Sequence, residues 1–163
     1  VGTGFHPELS GRENIMLSGA ILGMDAERTE ELYETIVEFS EIGDFIDMPV
    51  KRYSSGMYTR LAFSVSAHLA VDVMLVDEVL SVGDARFQEK SKAYIREMIQ
   101  DGRSVVYVSH SMDNVREICD SAMVLEDGQV VFDGDTDAAI EVYQQMNQKA
   151  RTRIRELEPD AQP

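Results

Sequence analysis

The sequence predicts an α/β protein in which an all-helical region precedes a parallel-sheet core. Three observations predict it. From Val73 onward, strand-like apolar runs alternate with amphipathic helical runs, the pattern of parallel strands joined by crossover helices. Between Gly11 and Pro49, apolar residues recur at helical spacing with no strand signal. Val73 to Glu78, VMLVDE, is an apolar run of the kind buried on both faces of a sheet, and it ends abruptly in two carboxylates.

Taken in order, Ser10-Gly11-Arg12-Glu13 is a capping box and opens a helix from Gly11 to about Met24. Asp25 caps the next, with Leu32, Tyr33, Ile36 and Val37 on one face. Ile42 to Met48 reads as one more short helix, stopped by Pro49. The small, polar run Tyr53-Ser54-Ser55-Gly56-Met57 leads into a helix from Met57 to Leu69 striped by Tyr58, Leu61, Ala62, Val65 and Leu69. After the central strand, Leu80 to Asp84 is a loop, and Arg86 to Gln100 a helix with Phe87, Tyr94, Ile95 and Met98 inward. Ser104 to Val108 is a second strand, stopping at Ser109-His110-Ser111. Met112, Val115 and Cys119 mark a short helix, and Ala122 to Leu125 and Gln129 to Phe132 pair as a hairpin through Asp127-Gly128. A helix from Ala138 to Met146 is followed by a charged, proline-terminated tail, Gln148 to Pro163, expected to be loose.

Composition excludes several classes. A formal charge of −15 over 163 residues repels nucleic acid and anionic lipid, although a triphosphate can still bind through backbone amides, a helix terminus and a metal. No apolar run is long enough to span a bilayer, and the single cysteine, Cys119, excludes an internal disulfide; both agree with a cytoplasmic location. The opening Val1-Gly2-Thr3-Gly4-Phe5 carries no initiator methionine, cap or strand, so a preceding segment is expected.

Candidate chemistry gathers at strand and helix ends. Ligands of open α/β sheets sit beyond the carboxyl ends of the strands, where Asp77 and Glu78 fall. Neighbouring strand residues point to opposite sides, so one carboxylate can bind a metal while the other handles a proton or water; the alternative is a strand that simply becomes a loop. Ser54, Ser55 and Gly56 leave a helix N-terminus open to a phosphate, or form an ordinary serine cap. His110 follows the second strand in a ligand-facing or a merely structural position.

Together these residues resemble the nucleotide-binding domain of an ABC ATPase, a P-loop NTPase, over Phe5 to about Met146. Tyr53-Ser54-Ser55-Gly56-Met57 is similar to the family's LSGGQ signature, departing at its first, third and fifth places. Val73 to Glu78 resembles the Walker B strand, Ser81-Val82-Gly83-Asp84 the D-loop, with Gly83 where leucine is usual, and His110 the switch histidine. Phe5-His6-Pro7-Glu8-Leu9-Ser10-Gly11-Arg12-Glu13-Asn14-Ile15 is similar to the ATPase subunits of O-antigen and teichoic-acid exporters. The phosphate-cradling G-x-x-x-x-G-K-[ST] loop and the Q-loop glutamine are not in the sequence, so the segment alone is expected to be inactive.

The resemblance implies an organisation: the end of the Q-loop region in 1–10, a helical subdomain with the signature in 11–70, a core portion in 71–147 and a flexible tail in 148–163. It implies ATP and Mg²⁺, with Asp77 on the metal, Glu78 as base, His110 on the γ-phosphate, and Ser54, Ser55 and Gly56 reaching the nucleotide of a second, identical subunit. Ser81 and Asp84 would work across the same interface. An integral permease would dock near Phe5 to Asn14, placing the protein on the inner face of the cell membrane with no nucleic acid bound and no other membrane contact. A non-transport ABC ATPase acting on nucleic acid or ribosomes is the rival, disfavoured by the acidic charge and short helical region; a regulatory, binding-only segment is the third reading.

Overall fold

The capping box at Ser10 forms in full in the computed structural model, which describes residues 4–69, 73–77 and 84–157. The Glu13 N–H donates to the Ser10 hydroxyl at 3.2 Å, and the Ser10 N–H to the Glu13 carboxylate at 2.8 Å. Helix α1 (Gly11–Ile21) stops short of Met24 because the chain turns through Gly23 at φ +79°, a conformation free of Cβ strain only in glycine. Asp25 accepts the Arg28 N–H at 2.7 Å and caps α2 (Ala26–Ser40). The single helix expected over Ile42 to Met48 is instead a 3-10 turn, Gly43–Asp47, followed by a second, Val50–Arg52. Met48 between them is extended, the conformation that a following proline imposes.

Helix α3 (Ser55–His68) starts at Ser55 rather than Met57, because Ser54 caps it. Its buried surface exceeds the single stripe read from the sequence. Leu61 and Val65 pack into a cluster with Ile15, Tyr33, Ile36, Ile42, Ile46, Val50 and Leu69. Phe63, Ser64 and Ala67 are buried as well, and Phe63 meets Phe39 and Phe87 at centroid distances of 6.1 Å each. His68 stacks on Tyr94 at 4.6 Å. With several large side chains at essentially zero exposure, each contributing about 1.5–3 kcal/mol by burial, α3 is the central rod of this region.

Asn14, fully buried, organises the segment before α1. Its side-chain oxygen accepts the His6 N–H at 2.6 Å, and its amide nitrogen donates towards the carbonyls of His6, Leu9 and Ser10 at 2.9–3.1 Å. That segment is in turn laced to the run leading into α3. The Val50 N–H donates to the Leu9 carbonyl at 2.9 Å, the Lys51 N–H to the Pro7 carbonyl at 3.1 Å, and Ser10 bridges Pro49.

Strands β1 (Val73–Asp77) and β2 (Ser104–Val108) pair in parallel, with Asp77 opposite Val108, and α4 (Ala85–Gln100) is the helix of the crossover between them. The parallel pairing agrees with the sequence; burial on both faces does not. Met74 and Val76 are buried, whereas Val73, Leu75, Val106 and Val108 are each half or more exposed. In-register residues share a face, so one whole side of this pair is exposed: α4 packs against β2, and no described element of the first unit lies over the Leu75 side.

The chain divides into two units, Val1–Val108 and Ser109–Pro163. The second comprises α5 (Met112–Ile118), β3 (Ser121–Glu126), β4 (Gln129–Asp135) and α6 (Thr136–Leu157). Asp127 and Gly128 both take positive φ, 49° and 77°, as a tight hairpin turn of this twist requires. The Thr136 hydroxyl donates to the Cys119 carbonyl at 2.9 Å, and Arg116 pairs with Asp137 at 2.7 Å, seating α6 against α5. The sequence ends this helix at Met146 and leaves a loose tail after it; instead α6 continues to Leu157, since Gln, Lys, Ala, Arg, Glu and Leu are good helix formers and Pro159 is the first breaker. Among the described residues no helix is long and apolar enough to cross a membrane.

Replacing Asn14 by Ala takes the acceptor from the part-buried His6 N–H and leaves the carbonyls of His6, Leu9 and Ser10 with only their backbone donors, the N–H groups of Leu9, Val50 and residue 14. Denaturant melts are expected to show a loss of ~1–3 kcal/mol; an unchanged midpoint would mean water replaces those bonds at no cost.

Candidate functional site

Ser54 lies at φ −64°, ψ 160°, and its hydroxyl accepts the Met57 N–H at 3.2 Å. The serine-cap reading is therefore correct for Ser54, and it leaves the rest of the first turn of α3 facing outward. Ser55 is exposed and Gly56 half-buried, and the Thr59 hydroxyl reaches back to their carbonyls at 2.8 and 3.1 Å. A Cβ on Gly56 would meet only the Ser54 hydroxyl, at 3.9 Å, an ordinary contact. Nothing among the described residues demands glycine there. What its absence of side chain provides is an unobstructed, positively polarised helix end.

Tyr53, the first departure from the signature pattern, has a structural reason. Its hydroxyl donates to the Phe45 carbonyl at 2.8 Å and lies against Gly11, where an added Cβ would come within 2.5 Å of it. The aromatic residue pins the entry to α3 onto α1 and the 3-10 turn. Its burial pushes the phenol up to about 12.

Asp77 ends β1 with its side chain exposed. A lone carboxylate at a strand tip suits Mg²⁺, which is held by one or two carboxylates together with phosphate oxygens and water. Among the described residues no three His, Cys, Asp or Glu side chains gather as a metal site. Glu78 and Ser81 lie outside the described residues.

Asp84 caps α4, accepting the Phe87 N–H at 2.9 Å, and a second carboxylate oxygen accepts from Arg60 of α3. The Phe87 amide first, then the Arg60 cation and the Arg86 amide, hold this carboxyl below the usual range. Thus one side chain ties Asp84 to α3, one turn beyond Gly56. Sequence reasoning missed Arg60. A cap at Asp84 is legible from its position before a helical run, but a partner on another helix leaves no local signal.

His110 belongs to the second unit, in the turn before α5, exposed, with its Nδ1 3.3 Å from the Tyr143 hydroxyl of α6. Tyr143 was likewise not legible as a partner, since it lies far along the chain on another helix.

No family model matches the chain. Among curated proteins it is 45% identical over 146 residues to the ABC transporter protein AbcA of Aeromonas salmonicida, covering 90% of this chain and 47% of that protein. It is 44% identical over 145 residues to the O-antigen export system ATP-binding protein RfbB of Klebsiella pneumoniae, covering 89% and 59%. To the teichoic acids export ATP-binding protein TagH of Bacillus cereus it is 38% identical over 163 residues, covering 96% and 30%. The chain spans about half the length of the first two of these relatives. A dimeric ATP-binding cassette solved in a post-hydrolysis state with ADP and Pi matches at a TM-score of 0.68 and 22% identity, over 81% of this chain and 59% of that one. At that identity the match speaks to the fold, that of an ABC ATPase cassette.

The raised phenol gives a pH prediction. Tyr53 is neutral longer in the folded state than the ordinary value of 10.0 allows, so its contribution to stability is intact below pH 10 and is lost as pH rises towards about 12. Thermal melts across that range are expected to fall less steeply for Tyr53→Phe than for the wild type. Equal slopes would place Tyr53 in solvent.

Proposed function

Because the chain belongs to the family of ABC transporter ATP-binding proteins, we propose that it is the signature- and Walker B-bearing part of an ATPase subunit that drives export of a polysaccharide of the O-antigen or teichoic-acid kind. The observation that supports this most directly is the start of α3. Its Ser55 and Gly56 turn is open outward, and the glycine answers no packing need of the described residues, as expected where a phosphate must approach the backbone.

In this reading phosphoryl transfer asks the protein mainly for positioning and charge. Asp77, at the tip of β1, would hold Mg²⁺, which when bound neutralises phosphate charge. Glu78, next in sequence, orients the attacking water and takes its proton. His110 contacts the γ-phosphate. Ser54, Ser55 and Gly56 present the positive end of α3 to the nucleotide of a second copy of the subunit, and Ser81 and Asp84 work across the same interface. ATP, the substrate, then bridges two identical subunits, and its hydrolysis lets them part.

The helical portion, 11–70, and the core portion, 71–147, would divide the labour. An integral permease would bear on the segment from Phe5 to Asn14. The backbone bonds from Pro7 and Leu9 to the Val50–Arg52 turn supply a short mechanical path from there to Ser54. Membrane contact would be through the permease alone, on the inner face of the membrane. A nucleic-acid-directed ABC ATPase is the second reading, and the charge of −15 opposes it.

Two measurements test the proposal. In the full-length protein, Glu78→Gln is expected to lower ATP turnover on the order of a hundredfold or more while ATP still binds; turnover near wild type would remove Glu78 as the base. Site-specific crosslinkers placed from Phe5 to Asn14 are expected to capture the permease in the assembled complex, and no capture from any of these positions would move the docking site elsewhere.

A further inference from the structure

Three helices of the first unit are tied together by charges that none of the roles above uses. Arg60 of α3 donates to Asp84, stands 3.9 Å from a carboxylate oxygen of Glu41, and lies 5.4 Å from the centre of the Phe87 ring. Its side chain is only 24% exposed. Glu41, the residue that ends α2, sits in the left-handed region at φ 55°. That strained placement brings its carboxylate to Lys90 at 3.0 Å and to Arg86 at 3.9 Å, both on α4. Lys90 also donates to the Phe39 carbonyl at 3.0 Å, with its ammonium 4.6 Å from the centre of the Phe39 ring. Around this clasp lie the rings of Phe39, Phe63 and Phe87, with Phe87 edge-to-face to the other two, which fix α3 against α2 and α4.

Arg60 reaches both the end of α2 and the residue before α4 from a third helix, α3, and it does so one turn beyond Gly56. We infer that Arg60 is a positioning residue, which locks Asp84, at the head of α4, to α3 so that Asp84 and the open start of α3 keep one register. The inference rests on the reading that Ser54–Gly56 and Asp84 both act across an interface between subunits. If they do, their mutual register within one subunit decides whether both reach the opposite nucleotide together. A rigid, planar guanidinium held over a ring suits that task better than a flexible ammonium. A partly exposed ion pair stabilises a fold little, so what Arg60 secures is geometry, to which phosphoryl transfer is sensitive.

The test is a double-mutant cycle in the full-length ATPase: Arg60→Gln, Asp84→Asn and the two combined, with Arg60→Lys as the conservative variant. Asparagine still caps a helix, so Asp84→Asn removes the ion pair without uncapping α4. Each single change is expected to lower kcat about tenfold with the KM for ATP within about twofold, and the double variant to be no worse than either single one. Arg60→Lys should recover part of the loss, and melting temperatures should stay close to that of the wild type. Losses that multiply in the double variant, a change confined to KM, or turnover that tracks the melting temperature would each overturn the inference. Glu78→Gln tests the underlying reading separately: it can abolish turnover while the cycle shows no coupling, or leave turnover intact and sink the reading alone.

Discussion

A helix buried along its body and bare at its first turn is the constraint on which the first unit is built. Leu61 and Val65 hold α3 against the aliphatic cluster, while Phe63, Ser64 and Ala67 are buried as well, so the rod is gripped on more than one side. A helix gripped in that way has little freedom to rock or slide, and its amino end is therefore presented at a defined place. That end carries Ser54 as cap, then Ser55 and Gly56, without a side chain large enough to cover its amides. Rigidity behind and openness in front together make a helix terminus useful for an anion.

The first departure of this segment from the LSGGQ pattern follows from the same constraint. Tyr53 stands where the pattern has its first leucine and uses its hydroxyl on the Phe45 carbonyl, with that hydroxyl close against Gly11. A leucine could fill the space but could not make that bond. Gly11 is required because the Tyr53 hydroxyl, the Ile46 side chain and the Ile46 carbonyl occupy the room a Cβ would need. Tyrosine at one position and glycine at the other are two halves of one contact. Asn14 performs a comparable service on the segment before α1, adding side-chain bonds to the His6 N–H and to the carbonyls of His6, Leu9 and Ser10 from a fully buried position.

Much of this was legible because it is local. The Ser10 capping box, the Asp25 cap, the Asp127-Gly128 turn and the parallel pairing of β1 with β2 through a crossover helix are each specified by a few neighbouring residues or by periodicity. The errors lie where local signals are ambiguous. Pro49 does stop the run from Ile42, by forcing Met48 extended, but the run is a 3-10 turn and a second one follows at Val50. The charge and terminal proline of the run after Met146 suggest a loose tail, yet its residues favour helix as far as Leu157. VMLVDE reads as a strand covered on both faces, yet the Leu75 side of Val73–Asp77 is exposed, because composition states what a surface would prefer and not what lies upon it.

By itself, the sequence determined the kinds of element, their order, and the residues at their ends: the serine–glycine helix start, the acid pair after a strand, the histidine after the next strand. Those follow from backbone propensity and from bonds that span three or four residues. Only the tertiary structure decided that α3 is gripped by two layers, that Tyr53 rests on Gly11, and that Arg60 joins Asp84 while Glu41 gathers Lys90 and Arg86. Each of those contacts joins residues distant in the chain, and their strength depends on burial and orientation, which exist only once the chain has closed around them.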